Sequence, residues 1–444
     1  MEDAFIIKGG KKLGGEVVLS GAKNASLKLI IASLLFENQK IILENVPQIA
    51  DVLELIHLIN LLGGRAKFIS KNVLEIDSSL LKLNKVDMLH GSKIRVSFML
   101  FAPLLYKFGQ CFIPNPGGCR IGARPIDRII EGMKAIGVEI SYSSETGYYH
   151  TLLKERPTGF YQFKKPSHTG TELLIMLSVF AKDKVFLQNC ALEPEIDNLI
   201  DFLNQSGAKI KRNKNQIEIE GVKRLTFNNP FKVIPDRNEA VTFISLVMAS
   251  FGKIKVAPIK EEHIFSFHQK LKEIGVSIAK DGRDSFIYHP NVSIFKSTNV
   301  ETAPHPGFMT DWQPNWAVLM TQAKGKSMII ERVFENRFAY VEQLKKLGAK
   351  IEFVDFSVDN PDDFYFFNYD KNTSQQQAIV IDGPTKLHNG VVNITDLRAG
   401  ATLATAALLA DGESVVNGAS ILKRGYENFV EKIKSLDGEI KEVS

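Results

Sequence analysis

Cysteine is scarce in this 444-residue chain: Cys111, Cys119 and Cys190 are an odd number with no C-x-x-C spacing. That leaves neither a disulfide framework nor a zinc knuckle and suits a reducing, cytoplasmic setting. Long apolar runs are missing too. The longest, such as Leu29 to Phe36, fall far short of the ~18 to 20 residues of a membrane span, and Met1 to Gly15 has no apolar stretch of the export-signal kind, so neither insertion nor export is expected. No basic tract exists. Fifty-five Lys+Arg against 50 Asp+Glu give a net charge of +5 that is interspersed along the chain, which favours a small anionic ligand over nucleic acid. Nine histidines lack metal-ligand spacing, Gly117 and Gly122 are not followed by Gly-Lys-Ser/Thr, and no G-x-G-x-x-G follows a strand. No metal and no cofactor are expected, and His305 in APHPGF reads as structural. What remains is 44% hydrophobic and 24% charged, the balance of a soluble globular protein too long for one core.

The informative feature is repetition. A Leu/Ile/Ser-Gly step followed by a short apolar residue returns in LLGGRA at Gly63, AIGVEI at Gly137, QSGAKI at Gly207, EIGVSI at Gly275 and KLGAKI at Gly348, and again with aspartate at Asp437 in SLDGEI. Five copies are spaced by 68 to 74 residues. The last interval, 89, contains the polar and aromatic stretch 357–377, which reads as a surface insertion in one repeat, an outer loop. An amphipathic helix precedes each copy, as Val52, Leu55, Ile56, Ile59 and Leu62 show. A second helix, apolar on every face and therefore buried, recurs at Ala25–Phe36, Arg95–Phe108, Glu172–Ala181, Ala240–Phe251, Trp312–Ala323 and Leu397–Ala410. Strand-like runs such as KIILENV, KVFLQNC, KIKVAPI and SMIIERV follow. The fold class is therefore α/β (α+β), with six repeated αβ units, three per domain. The domains expected are residues 22–234 and residues 1–21 plus 235–444, with the N-terminal FIIKGGKKLGGEVVLS forming a hairpin that completes the last repeat. A plain N-terminal extension on a six-repeat solenoid is the alternative.

Polar residues gather at the starts of the buried helices: Lys23-Asn24, Arg95, Thr169-Gly170, Asp236-Arg237, Thr310-Asp311 and Asp396 to Arg398. Asp311 and Asp396 taken singly are good N-caps. Lys23, Arg95, Arg237 and Arg398 instead oppose the helix dipole where they stand, a cost that points to an anionic ligand in a cleft shared by the helix starts. The loop Pro114 to Asp127 holds Cys119 among glycines, with Arg120 and Arg124 beside it to favour the thiolate. Cys119 reads as nucleophile, acid or an ordinary turn cysteine.

The motifs GAKNA at 21–25, PGGCRIGARPID at 116–127, EPEI at 193–196, PDR at 235–237, TAPHPGFMTD at 302–311, VFENRF at 333–338, TDLRAG at 395–400 and RGYE at 424–427 closely resemble, in order and over essentially the whole chain, the UDP-N-acetylglucosamine 1-carboxyvinyltransferase family. The resemblance implies two domains of inverse αβ repeats, barrel-like prisms closing over a cleft. It further implies transfer of the enolpyruvyl group of phosphoenolpyruvate to the sugar 3-hydroxyl of UDP-N-acetylglucosamine. By motif, Lys23 and Asn24 would hold phosphoenolpyruvate, Arg124 and Arg424 would lie near its phosphate, and Arg337, Arg398 and Arg424 around its carboxylate. Arg95, the segment Arg124, Pro125, Ile126 and Asp127, the Thr169-Gly170 helix start and the backbone at Val333 would meet the UDP-sugar. Cys119 would protonate C3 and Asp311 take the hydroxyl proton, while Lys23, Arg124 and Arg424 steady the departing phosphate. The chain departs from the family at Ile421-Leu422-Lys423, where His-Ile-Asp/Glu is usual, and at Arg128-Ile129, where Leu-His is. These changes keep a binding-only paralogue open beside the active transferase. The shikimate 3-phosphate enzyme is disfavoured by the cysteine loop. The oligomeric state is left open.

Overall fold

Helices that are apolar on all sides must be covered on all sides, and six such helices organise the chain. The computed structural model describes residues 3–117, 126–228, 230–335, 337–370 and 376–443. Arg237–Ala249 and Gln313–Met320 bury every residue, and Lys23–Ala32 buries all but Asn24. His168–Ser178, Leu397–Leu409 and Phe101–Phe108 complete the set. Both tryptophans of the chain, Trp312 and Trp316, lie at the fifth of these helices and are fully covered.

Two expectations about the inner helices need correcting. The second does not run unbroken from Arg95: a 3-10 turn, Arg95–Leu100, precedes the α-helix Phe101–Phe108. Pro103 has no N–H and its ring excludes the carbonyl four residues back, so the α-helix begins where Pro103 falls in its first turn. The first, third and fourth begin before their apolar runs, because polar residues occupy the opening turn. Ser167 and Asp236 cap the third and fourth by accepting from the Gly170 N–H and from the Asn238 and Glu239 N–H groups.

Each inner helix leads to a strand, an outer helix and further strands, and the strands assemble in one recurring order. In the first unit Val73–Asp77 lies between Arg65–Ser70 and Lys40–Glu44, antiparallel to both, while Phe231–Lys232 joins the other edge of Lys40–Glu44 in parallel. The sheets built around Lys184–Gln188, Lys253–Ala257, Ala323–Ile330 and Gly412–Asn417 repeat this order. The second unit, around Gln110–Pro114, has three strands, with Lys85 bridging in parallel to Phe112 where the edge strand would be. The N-terminal hairpin does not form. Ala4–Gly9 sits between Gly412–Asn417 and Glu439–Val443, antiparallel to both, whereas Gly14–Val18 lies parallel to Lys253–Ala257 in another sheet. Each of the two strands fills a vacancy in a different repeat, one central and one at an edge, so they have no reason to pair with each other. The described residues divide into two compact units, one within 21–234 and one of 3–20 with 235–443.

The repeated glycine has a backbone cause. Gly63, Gly137, Gly207, Gly275 and Gly348 all end outer helices with φ between 88° and 102°, the left-handed conformation that only glycine adopts without steric cost. Asp437, in the sixth copy, adopts the same conformation at φ 65°. Asp437→Gly is therefore expected to stabilise the protein by about 1 kcal/mol, the cost of left-handed backbone at an L-residue. A rise in thermal midpoint measures it; no rise, or a fall, contradicts it.

The 357–377 stretch joins Ile351–Phe353 to Ala378–Gly383 and is more than a solvated outer loop. It contains the short helix Pro361–Phe364, and Tyr365, Phe367 and Gln377 are buried at 3%, 5% and 3% exposure.

Candidate active site

In the unit formed by 3–20 and 235–443, the starts of the three inner helices meet. The Trp312 indole N–H donates to Asn238 Oδ1 at 2.8 Å, tying the fifth helix start to the fourth, and Arg398 at the sixth reaches Asp311 beside the fifth. The two aspartates that read alike as caps part company here. Asp396 is the cap of Leu397–Leu409, its carboxylate accepting from the Arg398 and Ala399 N–H groups. Asp311 is not the cap residue of Gln313–Met320: it lies in the turn before that helix, and its two oxygens accept separately from Arg337 Nη2 and Arg398 Nε, each at 3.1 Å. Arg337 Nη1 donates to Asp396 at 3.1 Å. Asp311, Arg337, Arg398 and Asp396 thus form one ion-pair chain in which the arginines are 3% and 4% exposed while Asp311 keeps an accessible edge.

Burial opposes the charge on Arg337, but Asp396, Asp311 and Glu331 outweigh it and hold its pKa above the usual guanidinium value. Arg398 behaves likewise: burial opposes its charge, and Tyr426, Asp311 and Asp236 raise it. Both remain cations at any working pH. Arg337 Nε and Arg398 Nη1 are buried and have no acceptor among the described residues. Arg398 also stands over the Tyr426 ring at 5.4 Å. The Tyr426 hydroxyl meets Thr242 Oγ1 at 2.8 Å, and Thr242, Asn315 and Thr402 continue the network across all three inner helices. Tyr426 belongs to the RGYE motif, from which sequence reasoning carried over only Arg424; Arg424 is half-buried in the turn after Ala419–Leu422. Glu331 also went unnoticed, since nothing near it in sequence marks it. It is fully buried, burial raises its pKa, and its carboxylate accepts from the Val333 N–H at 2.8 Å, the Phe334 N–H at 3.1 Å and the Thr310 hydroxyl at 2.9 Å. The Val333 N–H is thus taken up within the turn. Arg237, 1% exposed, donates to His305 Nδ1 at 3.1 Å, consistent with a structural histidine.

The other unit holds Lys23, Asn24, Arg95, Ile126, Asp127, Thr169 and Gly170. Lys23 opens its helix, 9% exposed, and its ammonium lies 2.6 Å from Asp51 at the start of the outer helix Ala50–Leu61; Asn24 follows, half-buried. Arg95, also half-buried, opens the 3-10 turn that packs against this first helix. Thr169 and Gly170 lie in the first turn of His168–Ser178, where the Gly170 N–H is taken by the Ser167 hydroxyl at 3.2 Å. Below them Glu172 is completely buried, 3.1 Å from Lys28 and 3.2 Å from His168. Burial, and then Lys28, lower the His168 pKa, but Glu172 and Glu193 together outweigh them, and the net shift is upward. Ile126 belongs to the hydrophobic core, so its backbone rather than its side chain can meet a ligand, and Asp127 is exposed at the start of Asp127–Ala135. Cys119, Arg124 and Pro125 lie outside the described residues. The open pocket of about 570 Å³ lined by Arg332, Phe364 and residues 357–360 belongs to the insertion and involves none of the candidate residues.

The family model for EPSP synthase (3-phosphoshikimate 1-carboxyvinyltransferase) matches residues 7–433. A relative from Trichlorobacter lovleyi, called UDP-N-acetylglucosamine 1-carboxyvinyltransferase, is 36% identical over 100% of this chain and 99% of its own. A relative of the same name from Prochlorococcus marinus is 38% identical over 97% of this chain and 89% of its own. The chain belongs to this enolpyruvyl transferase family. Among solved structures, the enolpyruvyl transferase NikO from Streptomyces tendae shares the fold with a TM-score of 0.85 at 21% identity, covering 100% of this chain and 99% of its own. EPSP synthase from Acinetobacter baumannii does so at 0.73 and 16%, with full coverage of both chains.

Ile129 is a buried core residue, Ile421 is half-buried, and Lys423 is an exposed partner of Glu442. Cys111 and Cys190 are 0% and 1% exposed, and burial pushes both thiols up to about 12. Neither is a nucleophile near neutrality. Fosfomycin, or iodoacetamide at pH 8, is therefore expected to modify Cys119 alone in the folded protein; a peptide map with adducts on Cys111 or Cys190 contradicts this.

Proposed function

We propose that the chain transfers the enolpyruvyl group of phosphoenolpyruvate to the 3-hydroxyl of UDP-N-acetylglucosamine and releases phosphate. This is the first committed cytoplasmic step of peptidoglycan synthesis, on which cell shape and division depend. What supports the reading is Asp311: it is a carboxylate with an accessible edge, ion-paired to the two buried arginines that the family motifs assign to the phosphoenolpyruvate carboxylate.

The chemistry is addition followed by elimination. The sugar 3-hydroxyl oxygen bonds to C2 of phosphoenolpyruvate as Asp311 takes its proton and Cys119 delivers one to C3. The resulting tetrahedral centre then loses a proton from C3 as the C2–O bond to phosphate breaks, leaving the enolpyruvyl ether. Lys23, Arg124 and Arg424 offset the charge on the departing phosphate, while Arg337 and Arg398 hold the carboxylate. Arg95, Thr169-Gly170, the 124–127 segment and the Val333 backbone orient the UDP-sugar. Mixing the protein with both substrates should release phosphate stoichiometrically with a UDP-linked enolpyruvyl product, and shikimate 3-phosphate should not substitute. Retained UDP-sugar binding without release under saturating substrates would favour the binding-only paralogue instead.

A further inference from the structure

The 357–377 insertion is pinned to the turn that carries Val333. Gln377, at the insertion's end, donates from Nε2 to the carbonyls of Glu331 at 2.9 Å and Phe334 at 3.0 Å, and its own carbonyl accepts from the Glu331 N–H at 2.8 Å. Earlier in the insertion, the Phe366 N–H donates to the Arg332 carbonyl at 2.7 Å, and Arg332 Nε donates to the Phe364 carbonyl at 3.1 Å. The Arg332 guanidinium packs over the Phe364 and Phe366 rings at 4.2 and 5.3 Å. From its other side the same turn is held by the buried Glu331 carboxylate, which also accepts from the Thr310 hydroxyl, one residue before Asp311. An element that interrupts the repeat, buries aromatic rings and a glutamine, and directs its polar contacts at residues 331–334 does more than lengthen a hairpin.

We propose that the insertion is a positioning clamp for the UDP-sugar, acting through Gln377 at its end and through Arg332 in the turn it holds. Through the Glu331 and Phe334 backbone it fixes the Val333 carbonyl. Neither Gln377 nor Arg332 touches substrate; both act through the turn. This rests on the assignment of Val333 to the UDP-sugar. A buried amide donating twice to main-chain carbonyls has no apolar equivalent, because removing it strands both acceptors. Misplacing a contact made equally in ground and transition states raises KM without changing kcat.

The test is Gln377→Met, which keeps the volume and removes both donors, alongside Arg332→Lys, which keeps the charge and removes the stacking plane. Gln377→Met is expected to raise KM for UDP-N-acetylglucosamine roughly 10-fold, the effect of about one net hydrogen bond. Arg332→Lys should act in the same direction and more weakly, with kcat and KM for phosphoenolpyruvate within about twofold for both. A lowered thermal midpoint with an unchanged KM for the UDP-sugar in both variants overturns the clamp, leaving the insertion structural and the transferase assignment intact. A KM for phosphoenolpyruvate that rises in parallel also overturns it. Wild-type protein that releases no phosphate overturns the transferase assignment and the clamp together.

Discussion

Replacing Asp311 with asparagine is expected to lower kcat about 10²- to 10⁴-fold, the range for losing a positioned proton acceptor, while UDP-N-acetylglucosamine binding changes little. Asparagine matches aspartate in shape but not in what it presents. One of the two aspartate oxygens, each now accepting from a different arginine at 3.1 Å, becomes an amide donor facing a guanidinium N–H. Arg337 keeps Asp396 as a partner, and Arg398 keeps the Tyr426 ring. The protein should therefore still fold, with a lower thermal midpoint than wild type. The expected behaviour of phosphoenolpyruvate separates a proton acceptor from a salt-bridge scaffold. Asp311 occupies the arginines proposed to bind the substrate carboxylate, so the two anions compete for the same donors. Removing the charge of Asp311 should leave KM for phosphoenolpyruvate unchanged or lower it while kcat collapses, a pattern that a loosened scaffold does not produce. Turnover within a few-fold of wild type would remove Asp311 from the chemistry, and a collapse of kcat with a matching rise in KM for phosphoenolpyruvate would make it scaffolding.

The repeats were legible because they arise from backbone constraint. A left-handed residue after each outer helix selects glycine five times out of six and tolerates Asp437 once, so the period survives in the sequence when side chains diverge. The inner helices were legible because burial on every face leaves no polar stripe. Their ends were not, since Lys23, His168 and Arg237 look like loop residues until a cap is seen to precede them or their charge is seen to be paired. The N-terminal strands misled for a related reason: a Gly-rich link between two apolar runs signals a hairpin locally, and only the sheets in which Ala4–Gly9 and Gly14–Val18 are embedded decide otherwise. Asp311 and Asp396 could not be told apart by spacing. Each precedes a buried helix, and the distinction lies in Arg337, which reaches them from a segment about 26 residues beyond the first and 59 before the second. Glu331 and Gln377 act almost wholly through main-chain groups, which carry no residue-type signature.

The cysteine loop yields the other large effect. Cys119→Ala is expected to reduce kcat at neutral pH about 10²- to 10⁴-fold, with UDP-N-acetylglucosamine affinity within a few-fold of wild type. An unperturbed thiol titrates near ~8.5. An acid of that strength is still largely protonated when it must deliver a proton to C3, and it can be recharged from solvent. Cys119→Asp discriminates between an acid and a nucleophile. A carboxyl group can deliver the same proton, but only below its own pKa, near ~3.9 when unperturbed. Turnover of the aspartate variant should therefore recover above that of the alanine variant and rise as pH falls, its upper limb moved to lower pH than that of wild type. If instead both variants are inert across the pH range and wild-type protein accumulates a covalent adduct with phosphoenolpyruvate that is competent to form product, the sulfur acts as a nucleophile. If the alanine variant turns over like wild type, another group supplies the proton. Because Cys111 and Cys190 are buried with thiols raised to about 12, neither can take over the role, and any residual activity in Cys119→Ala measures what Asp311 and the arginines achieve without an acid.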